Sequence, residues 1–179
     1  MKKIIILLII AQLFFGCSKN QNEVKEYGTI KNLSGSKRTV DQSLIFADVS
    51  GIEYKLEQFK GKVILMNFWT SWVVSVPEEM QKLNRLQNEL NNPDFQIVSV
   101  SLDDPYSANL KEFLAANQLN FNIFISQNNS EVNKNFSEIA NKIPCYYIIN
   151  KKFEIVNHFT DPLDIEQTKK LIKEYINDK

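Results

Sequence analysis

Residues that bind metal ions or act as catalytic nucleophiles and bases are scarce in this chain of 179 residues. Its single histidine, His158, stands alone, without the spacing of cysteine, histidine and aspartate that is typical of a metal site. The five glycines form no phosphate-binding loop, and neither Ser71 nor Ser75 has an identifiable base for a catalytic triad. We therefore expect no metal ion and no other cofactor.

An excess of charge of either sign is also missing. The chain has 21 basic and 21 acidic residues and no long run of one sign. Binding to nucleic acid usually requires a basic surface or tail, so a nucleic-acid partner is not expected. The length and the hydrophobic content of 44% predict one folded domain with a sizeable core.

The hydrophobic run at the N-terminus is too short to cross a membrane comfortably. It extends from Ile4 to Phe15, broken only by Gln12, after a short basic start. This pattern indicates a secretory leader. Gly16 and Cys17 follow it and resemble a bacterial lipobox, which implies cleavage before Cys17 and a lipid on that cysteine. The alternatives are an ordinary signal peptide or an uncleaved anchor, with Cys17 incidental.

The leader divides the chain into three predicted parts: a signal peptide at 1–16, a polar tether at 17–42 and a folded domain at 43–179. We expect the domain to lie in the cell envelope, outside the cytoplasm, held at a bacterial membrane through its lipid anchor. With Cys17 lipidated, Cys145 is the only remaining thiol. An internal disulfide is therefore excluded in the mature domain.

Hydrophobic periodicity predicts alternating strands and helices in the folded domain. Lys62–Trp69 is an apolar, β-branched run typical of a strand buried on both faces. From Met80 the apolar residues recur at three to four positions, which indicates an amphipathic helix, with Ser75 and Glu78 as its capping box. The other predicted elements are strands at Ser43–Ala47, Ile52–Leu56, Phe95–Leu102, Phe121–Ser126, the run before Asn150 and Phe153–Phe159, and helices at Tyr106–Leu119, Asn129–Asn141 and Asp164–Ile176. This order predicts an α/β fold with a central mixed sheet, helices on both faces and an N-terminal β-hairpin.

The segment that joins the buried strand to the first helix, FWTSWVVSVPEEM, resembles a known family. It is similar to the active-site segment of TlpA/ResA-type membrane-anchored thioredoxin-like proteins, which reads aromatic-Trp-x-x-Trp-Cys-x-x-Cys-x-x-Glu. Trp69, Trp72 and Glu79 fall on the matching positions. Val73 and Val76 stand where the family has its two cysteines.

Two further segments extend the resemblance over Ser43–Lys173. SLIFADVSGIEYKLEQFKGKVILMNFW is similar to the segment that enters the family's motif, and Ile143–Asn150 resembles its cis-proline loop. The resemblance implies a thioredoxin-like fold. In the family, a cysteine at the helix N-terminus attacks a disulfide and a second cysteine resolves the product. A valine supplies neither a nucleophile nor a leaving group, so dithiol exchange is not expected here.

The resemblance also implies a binding groove, lined here by Trp69, Trp72, Glu79, Ile143 and Pro144. In the family this groove holds an extended peptide against the cis-proline loop, and the glutamate tunes proton transfer. A carboxylate at the start of a helix is also favourable through the helix dipole alone. An apolar groove without thiols is compatible with a surface that keeps its shape for binding.

Two functions follow as hypotheses. The first is a thioredoxin-like envelope lipoprotein that binds or scaffolds an envelope protein or an extended peptide. The alternative is a residual single-thiol oxidoreductase, because Cys145 follows Pro144 and is expected within side-chain reach of the turn Val73–Val76. A buried cysteine in a strand, away from a helix N-terminus, is usually inert.

Overall fold

The computed structural model describes residues 31–32, 38–136, 142–160 and 162–178, with residues 31–32 described by their backbone alone. The predicted signal peptide, the predicted lipid-attachment residue Cys17 and most of the predicted tether lie outside these ranges. So does the end of the predicted helix Asn129–Asn141. Within the described ranges, no helix is both long enough and apolar enough to span a membrane.

The described residues form nine strands in one sheet, four α-helices and a short 3-10 helix at Leu56–Phe59. In chain order they are β1 (Lys31–Asn32), β2 (Arg38–Thr39), β3 (Ile45–Asp48), β4 (Glu53–Lys55), β5 (Val63–Trp69), α1 (Val76–Leu90), β6 (Phe95–Ser101), α2 (Ala108–Ala116), β7 (Ile123–Ser126), α3 (Asn129–Asn135), β8 (Cys145–Ile149), β9 (Glu154–Thr160) and α4 (Ile165–Asn177). The predicted mixed α/β architecture is confirmed, and the predicted element ends differ by a few residues.

Strand β5 lies inside the sheet, whose order is β1-β9-β8-β5-β6-β7-β3-β4. It pairs in parallel with β6 over its whole length and antiparallel with β8. All seven of its residues are buried. The β-branched and aromatic residues of β5 therefore satisfy both requirements of an inner strand, which are ladder pairing on both sides and packing on both faces.

The two faces of the sheet carry separate cores because side chains alternate along each strand. On one face, Leu65 and Trp69 pack against α1, α2 and α4. On the other face, Met66 and Phe68 pack against α3 and the segments that precede β5. A strand residue's position in the alternation therefore decides which core it joins.

The folded part of the chain begins before the predicted boundary at Ser43. Strands β1 and β2 both pair antiparallel with β9, inside the segment 17–42 that the sequence predicts as a tether. Val40 is buried, and its backbone N–H donates to the carbonyl of Phe153 over 2.8 Å. Backbone pairing with the outer edge of β9 and the burial of Val40 give this polar segment enough contacts to fold.

The N-termini of α1 and α4 are capped differently. At the start of α4, Asp164 Oδ1 accepts the backbone N–H of Gln167 over 2.9 Å and caps the helix. Ser75 precedes α1 but makes no side-chain cap hydrogen bond, so the predicted capping box is wrong. Its backbone is already helical, at φ −75° and ψ −18°, whereas a capping side chain needs an extended backbone. Pro77 lies in the first turn of α1, where a proline needs no hydrogen-bond acceptor for its nitrogen.

Candidate functional site at the end of the parallel strands

Trp69, the last residue of β5, lies in the core and not in the predicted groove. Its side chain is fully buried, and its ring centroid lies 5.0 Å from that of Phe113 in α2. The reason is its register, since an inner strand covered by helices buries its residues on both faces. Trp69 therefore supports the site from below and presents no surface to a partner.

The turn after β5 exposes apolar side chains. Trp72 is 69% exposed and Val74 is 96% exposed. Val73 is half-buried against the first core, and Val76, the first residue of α1, is fully buried. The backbone N–H of Val76 donates to the carbonyl of Val73 over 3.1 Å, which closes the turn. The two positions that match the family's cysteines are thus the covered part of this turn.

Asp103, which was not among the residues predicted for the site, holds this turn in place. Its carboxylate accepts the backbone N–H of Ser71 over 2.7 Å and the Ser71 hydroxyl over 3.0 Å. The Ser101 hydroxyl donates to the same carboxylate over 2.8 Å. Because β5 and β6 are parallel, their carboxyl ends meet at one edge of the sheet. A sequence signal that could have found this contact is the polar residue two positions beyond the end of each strand, Ser71 after β5 and Asp103 after β6.

Glu79 lies beneath the turn, only 2% exposed, and its carboxylate accepts three hydrogen bonds. Lys82 Nζ donates to Oε1 over 2.6 Å, and the Tyr146 hydroxyl and the backbone N–H of Leu163 donate to Oε2 over 2.7 and 2.8 Å. The carboxylate therefore connects α1, β8 and the segment before α4. A buried charge requires such partners, and these three donors supply them.

Lys82 supplies the positive charge beside Glu79. Its Nζ lies 2.6 Å from Glu79 Oε1 and 3.3 Å from Glu78 Oε1. Partial burial acts to lower the pKa of Lys82, but hydrogen bonds and the charges of Glu79 and Glu78 outweigh burial and raise that pKa. Lys82 consequently stays protonated and keeps the buried carboxylate paired.

The loop before β8 packs beside the turn. The peptide bond between Ile143 and Pro144 is cis. Pro144 is buried, while Ile143 is half-buried and contacts both cores. Val73 packs against the same first core. Of the residues predicted to line the groove, Trp72 is exposed, Ile143 is partly exposed, and Trp69, Glu79 and Pro144 are covered.

Cys145, the first residue of β8, faces away from the turn. It is fully buried opposite Phe68 of β5, in the second core together with Tyr147. Val73 and Val76 belong to the first core, as does the next residue of β8, Tyr146. The prediction that Cys145 lies within side-chain reach of the turn is wrong, because side-chain alternation puts the sheet between them.

The part of the chain that the structure describes contains no group of three His, Cys, Asp or Glu side chains placed to hold a metal ion. The His158 ring packs against the Tyr147 ring, with centroids 4.7 Å apart. The site therefore consists of an exposed apolar turn and two carboxylates. That of Asp103 hydrogen-bonds to the turn at Ser71, and that of Glu79 lies below the turn, where it accepts three hydrogen bonds.

Known proteins resemble this chain in sequence and in structure. The ResA thiol-disulfide oxidoreductase of Bacillus thuringiensis subsp. konkukian is 26% identical over 75% of this chain and 73% of its own length. That of Geobacillus thermodenitrificans is 24% identical over 94% of this chain and 91% of its own length. A putative DsbE thiol:disulfide interchange protein from Chlorobium tepidum superposes with a TM-score of 0.63 at 21% identity, covering 79% of this chain and 100% of that protein.

These matches confirm the resemblance to TlpA/ResA-type proteins and the thioredoxin-like fold. The model of the AhpC/TSA family matches residues 37–158, which span β2 to β9 and include both the turn and the cis-proline loop. The chain therefore belongs to the AhpC/TSA family of thioredoxin-like proteins, among relatives named as thiol-disulfide oxidoreductases.

Proposed function

We propose that this chain is a thioredoxin-like envelope protein that binds an extended segment of an envelope partner and carries out no dithiol exchange. The observation that supports this most strongly is the turn itself, where Val73 and Val76 take the two thiol positions and Trp72 and Val74 are exposed beside them. Exposed apolar patches on a folded domain are typical of binding surfaces.

The proposed absence of activity follows from the requirements of thiol–disulfide exchange. A thiolate must attack a disulfide sulfur, and a second thiol must release the mixed disulfide. Valine has no sulfur, and Cys145 is buried on the opposite face of the sheet. That burial disfavours the alternative of a single-thiol oxidoreductase, because thiol–disulfide exchange requires access to the sulfur.

The proposal also includes the protein's location in the cell. A lipid on Cys17 would hold the domain at a bacterial membrane, outside the cytoplasm, where an extended segment of another envelope protein can reach the turn. The relatives' names state a thiol-disulfide oxidoreductase activity for those proteins. For this chain we propose that the fold and the binding surface persist without that activity.

Insulin reduction by dithiothreitol tests the absence of exchange. The full chain, purified in detergent, is expected to leave the precipitation rate at that of dithiothreitol alone. Acceleration that survives Cys145→Ser would contradict the proposal, and acceleration that Cys145→Ser abolishes would support the single-thiol alternative instead.

Site-specific photocrosslinking in cells tests the binding role. A photoreactive phenylalanine at Val74, which is 96% exposed, should cross-link one envelope protein, and Trp72→Ala should abolish that product. The matched control places the same group at Ile52, which is 58% exposed near the far edge of the sheet. The same product from both positions would mean that the turn is not the binding surface.

A further inference from the structure

The loops that follow β5 and β6 bring two aromatic side chains to one edge of the sheet. Trp72 is 69% exposed and Tyr106 is 84% exposed. Strands β5 and β6 run in parallel, with Trp69 opposite Ser101, so both loops leave the sheet at the same level. Two large rings in water on adjacent loops form a surface that a soluble domain does not need for its own packing.

Hydrogen bonds fix the two loops to each other. The Asp103 carboxylate accepts both the backbone N–H and the hydroxyl of Ser71, the residue directly before Trp72. Three residues beyond Asp103, the backbone N–H of Tyr106 donates to Asp104 Oδ1 over 2.8 Å. The two rings are thus carried by one connected loop pair, so little ordering is needed when a partner binds between them.

The charge of this edge is negative. Asp103 and Asp104 accept hydrogen bonds from neutral groups, and neither forms an ion pair with another described residue. Glu78, nearby at the start of α1, shares Lys82 with Glu79. Lys142 lies on the loop before β8, on the other side of β5 from the loop that follows β6. Lys111, in the first turn of α2, is the basic side chain that follows the Asp103–Tyr106 loop along the chain. Two carboxylates without a cation beside two exposed rings are complementary to a positive charge.

We infer that Trp72, Tyr106, Asp103 and Asp104 form a docking surface, the aromatic–acidic edge, for a lysine or arginine side chain within an extended segment of a partner polypeptide. The cation lies over a ring face while a carboxylate supplies the counter-charge. Arginine fits better than lysine, because its planar guanidinium stacks on aromatic rings and is more weakly hydrated. This inference rests on the proposed function and specifies the chemistry of the bound segment.

Peptide binding to the full chain tests the aromatic–acidic edge. The probes are four fluorescein-labelled nonapeptides of alanine, valine, leucine and glycine, identical except for arginine, lysine, leucine or glutamate at the centre, measured by anisotropy. The arginine and lysine peptides are expected to bind roughly three- to thirtyfold tighter than the leucine peptide. The glutamate peptide should bind most weakly, and added salt should reduce the preference for a cation.

Variants of the chain test which residues cause the preference for a cationic peptide. Asp104→Asn removes the charge but keeps the Oδ1 acceptor for Tyr106, so it should remove most of the preference for arginine over leucine. Glu53→Gln, the same charge change on the exposed outermost strand β4, is its matched control. Tyr106→Ala should weaken binding of the arginine peptide, and Ile52→Ala, at another exposed apolar residue, should not.

The outcomes separate the two proposals. If all four peptides bind with equal affinity and Trp72→Ala weakens them all, the preference for a cation is wrong and the proposed peptide binding stands. If no peptide binds, both proposals are wrong. If the chain self-associates through this edge, and Tyr106→Ala makes it monomeric by sedimentation, a second copy is the occupant and the inference is overturned.

Discussion

The Tyr146 hydroxyl lies 2.7 Å from Oε2 of Glu79, so a strand residue and a helix residue share a buried hydrogen bond across two layers of the fold. The backbone N–H of Leu163 donates to the same oxygen. This arrangement lies directly below the turn and holds α1 in a fixed position relative to β8. The apolar surface above it therefore rests on a polar contact inside the core.

Removing the Tyr146 hydroxyl is expected to destabilise the protein measurably. Tyr146→Phe keeps the ring and its stacking on Phe159, with centroids 5.1 Å apart, but removes one donor to a buried carboxylate. Hydrogen bonds to charged groups contribute about 1.5–3 kcal/mol. Urea denaturation should show a loss of this size. Tyr106→Phe, at a residue 84% exposed, should change stability by no more than about 0.5 kcal/mol. Equal effects of the two changes would mean that the Glu79 contact is not stabilising.

Restoring the two cysteines tests whether the turn keeps the geometry of the family. The double change Val73→Cys and Val76→Cys should fold at a cost of about 1 kcal/mol, mainly at the fully buried Val76. We expect the pair to oxidise to an intramolecular disulfide, because the Val76 N–H to Val73 carbonyl bond brings the two residues together. Alkylation and mass measurement in a Cys145→Ser background count the free thiols, with Val73→Cys alone as control. Thiols that stay free under oxidant would show that the turn has diverged.

The sequence predicted what depends on patterns within one segment. Strand β5 followed from a largely apolar, β-branched run without glycine or proline, and α1 followed from apolar residues spaced at three to four positions. The contact between Asp103 and Ser71 joins residues 32 positions apart, and it depends on which strands pair, which no local pattern encodes. The capping box failed for a related reason, since the turn holds Ser75 in a helical conformation that its residue type does not reveal.

The position of Cys145 shows a second limit of sequence reasoning. Its neighbour Pro144 was expected to bring it to the turn, and adjacency along the chain was correct. The direction of the side chain depends on the alternation of β8, which places Cys145 in one core and Tyr146 in the other. A register shift of a single residue would reverse this arrangement.

Cys145 is expected to resist alkylation in the folded protein. The full chain should react with iodoacetamide at Cys145 only at the rate of unfolding, because the side chain is fully buried. Val74→Cys, at a residue 96% exposed, supplies an accessible thiol in the same protein as the control. The two rates are read by mass spectrometry of the separate peptides. Similar rates at the two positions in the absence of denaturant would contradict the burial of Cys145.

Acid should destabilise the protein in part through Glu89. Hydrogen bonds from Lys169 and then Arg85 hold the pKa of this carboxyl at about 2, against its usual value of 4.5. A carboxyl with a lowered pKa stabilises the fold fully above pH 4.5, and this contribution is lost as the pH falls towards 2.

The variant Glu89→Gln should therefore flatten the dependence of unfolding free energy on pH between these values. Lys169→Gln should remove much of the same slope, because Lys169 joins α4 to α1 through Glu89. High salt should weaken the effect, since the pair is partly open to solvent. An unchanged slope in both variants would mean that these ion pairs do not form in solution.

Lipid attachment is expected at Cys17. Cells supplied with labelled fatty acid should incorporate the label into the wild-type chain. Cys17→Ala should abolish this incorporation, because the lipid is predicted to attach to the sulfur of Cys17. Cys145→Ser is the matched control and should retain the label. A wild-type protein recovered without label in the soluble fraction would contradict the lipoprotein prediction.

The pairing of β1 with β9 shortens the free segment between Cys17 and the folded domain, and this segment would be the tether if Cys17 carries a lipid. A fully extended chain spans about 50 Å from Cys17 to Lys31, compared with about 90 Å if the free segment continued to Ser43. The volume that the domain explores scales with the cube of this radius and is roughly sixfold smaller, which raises its effective concentration near the bilayer. Partners embedded in the same membrane would then meet the domain more often than proteins diffusing freely beyond its reach.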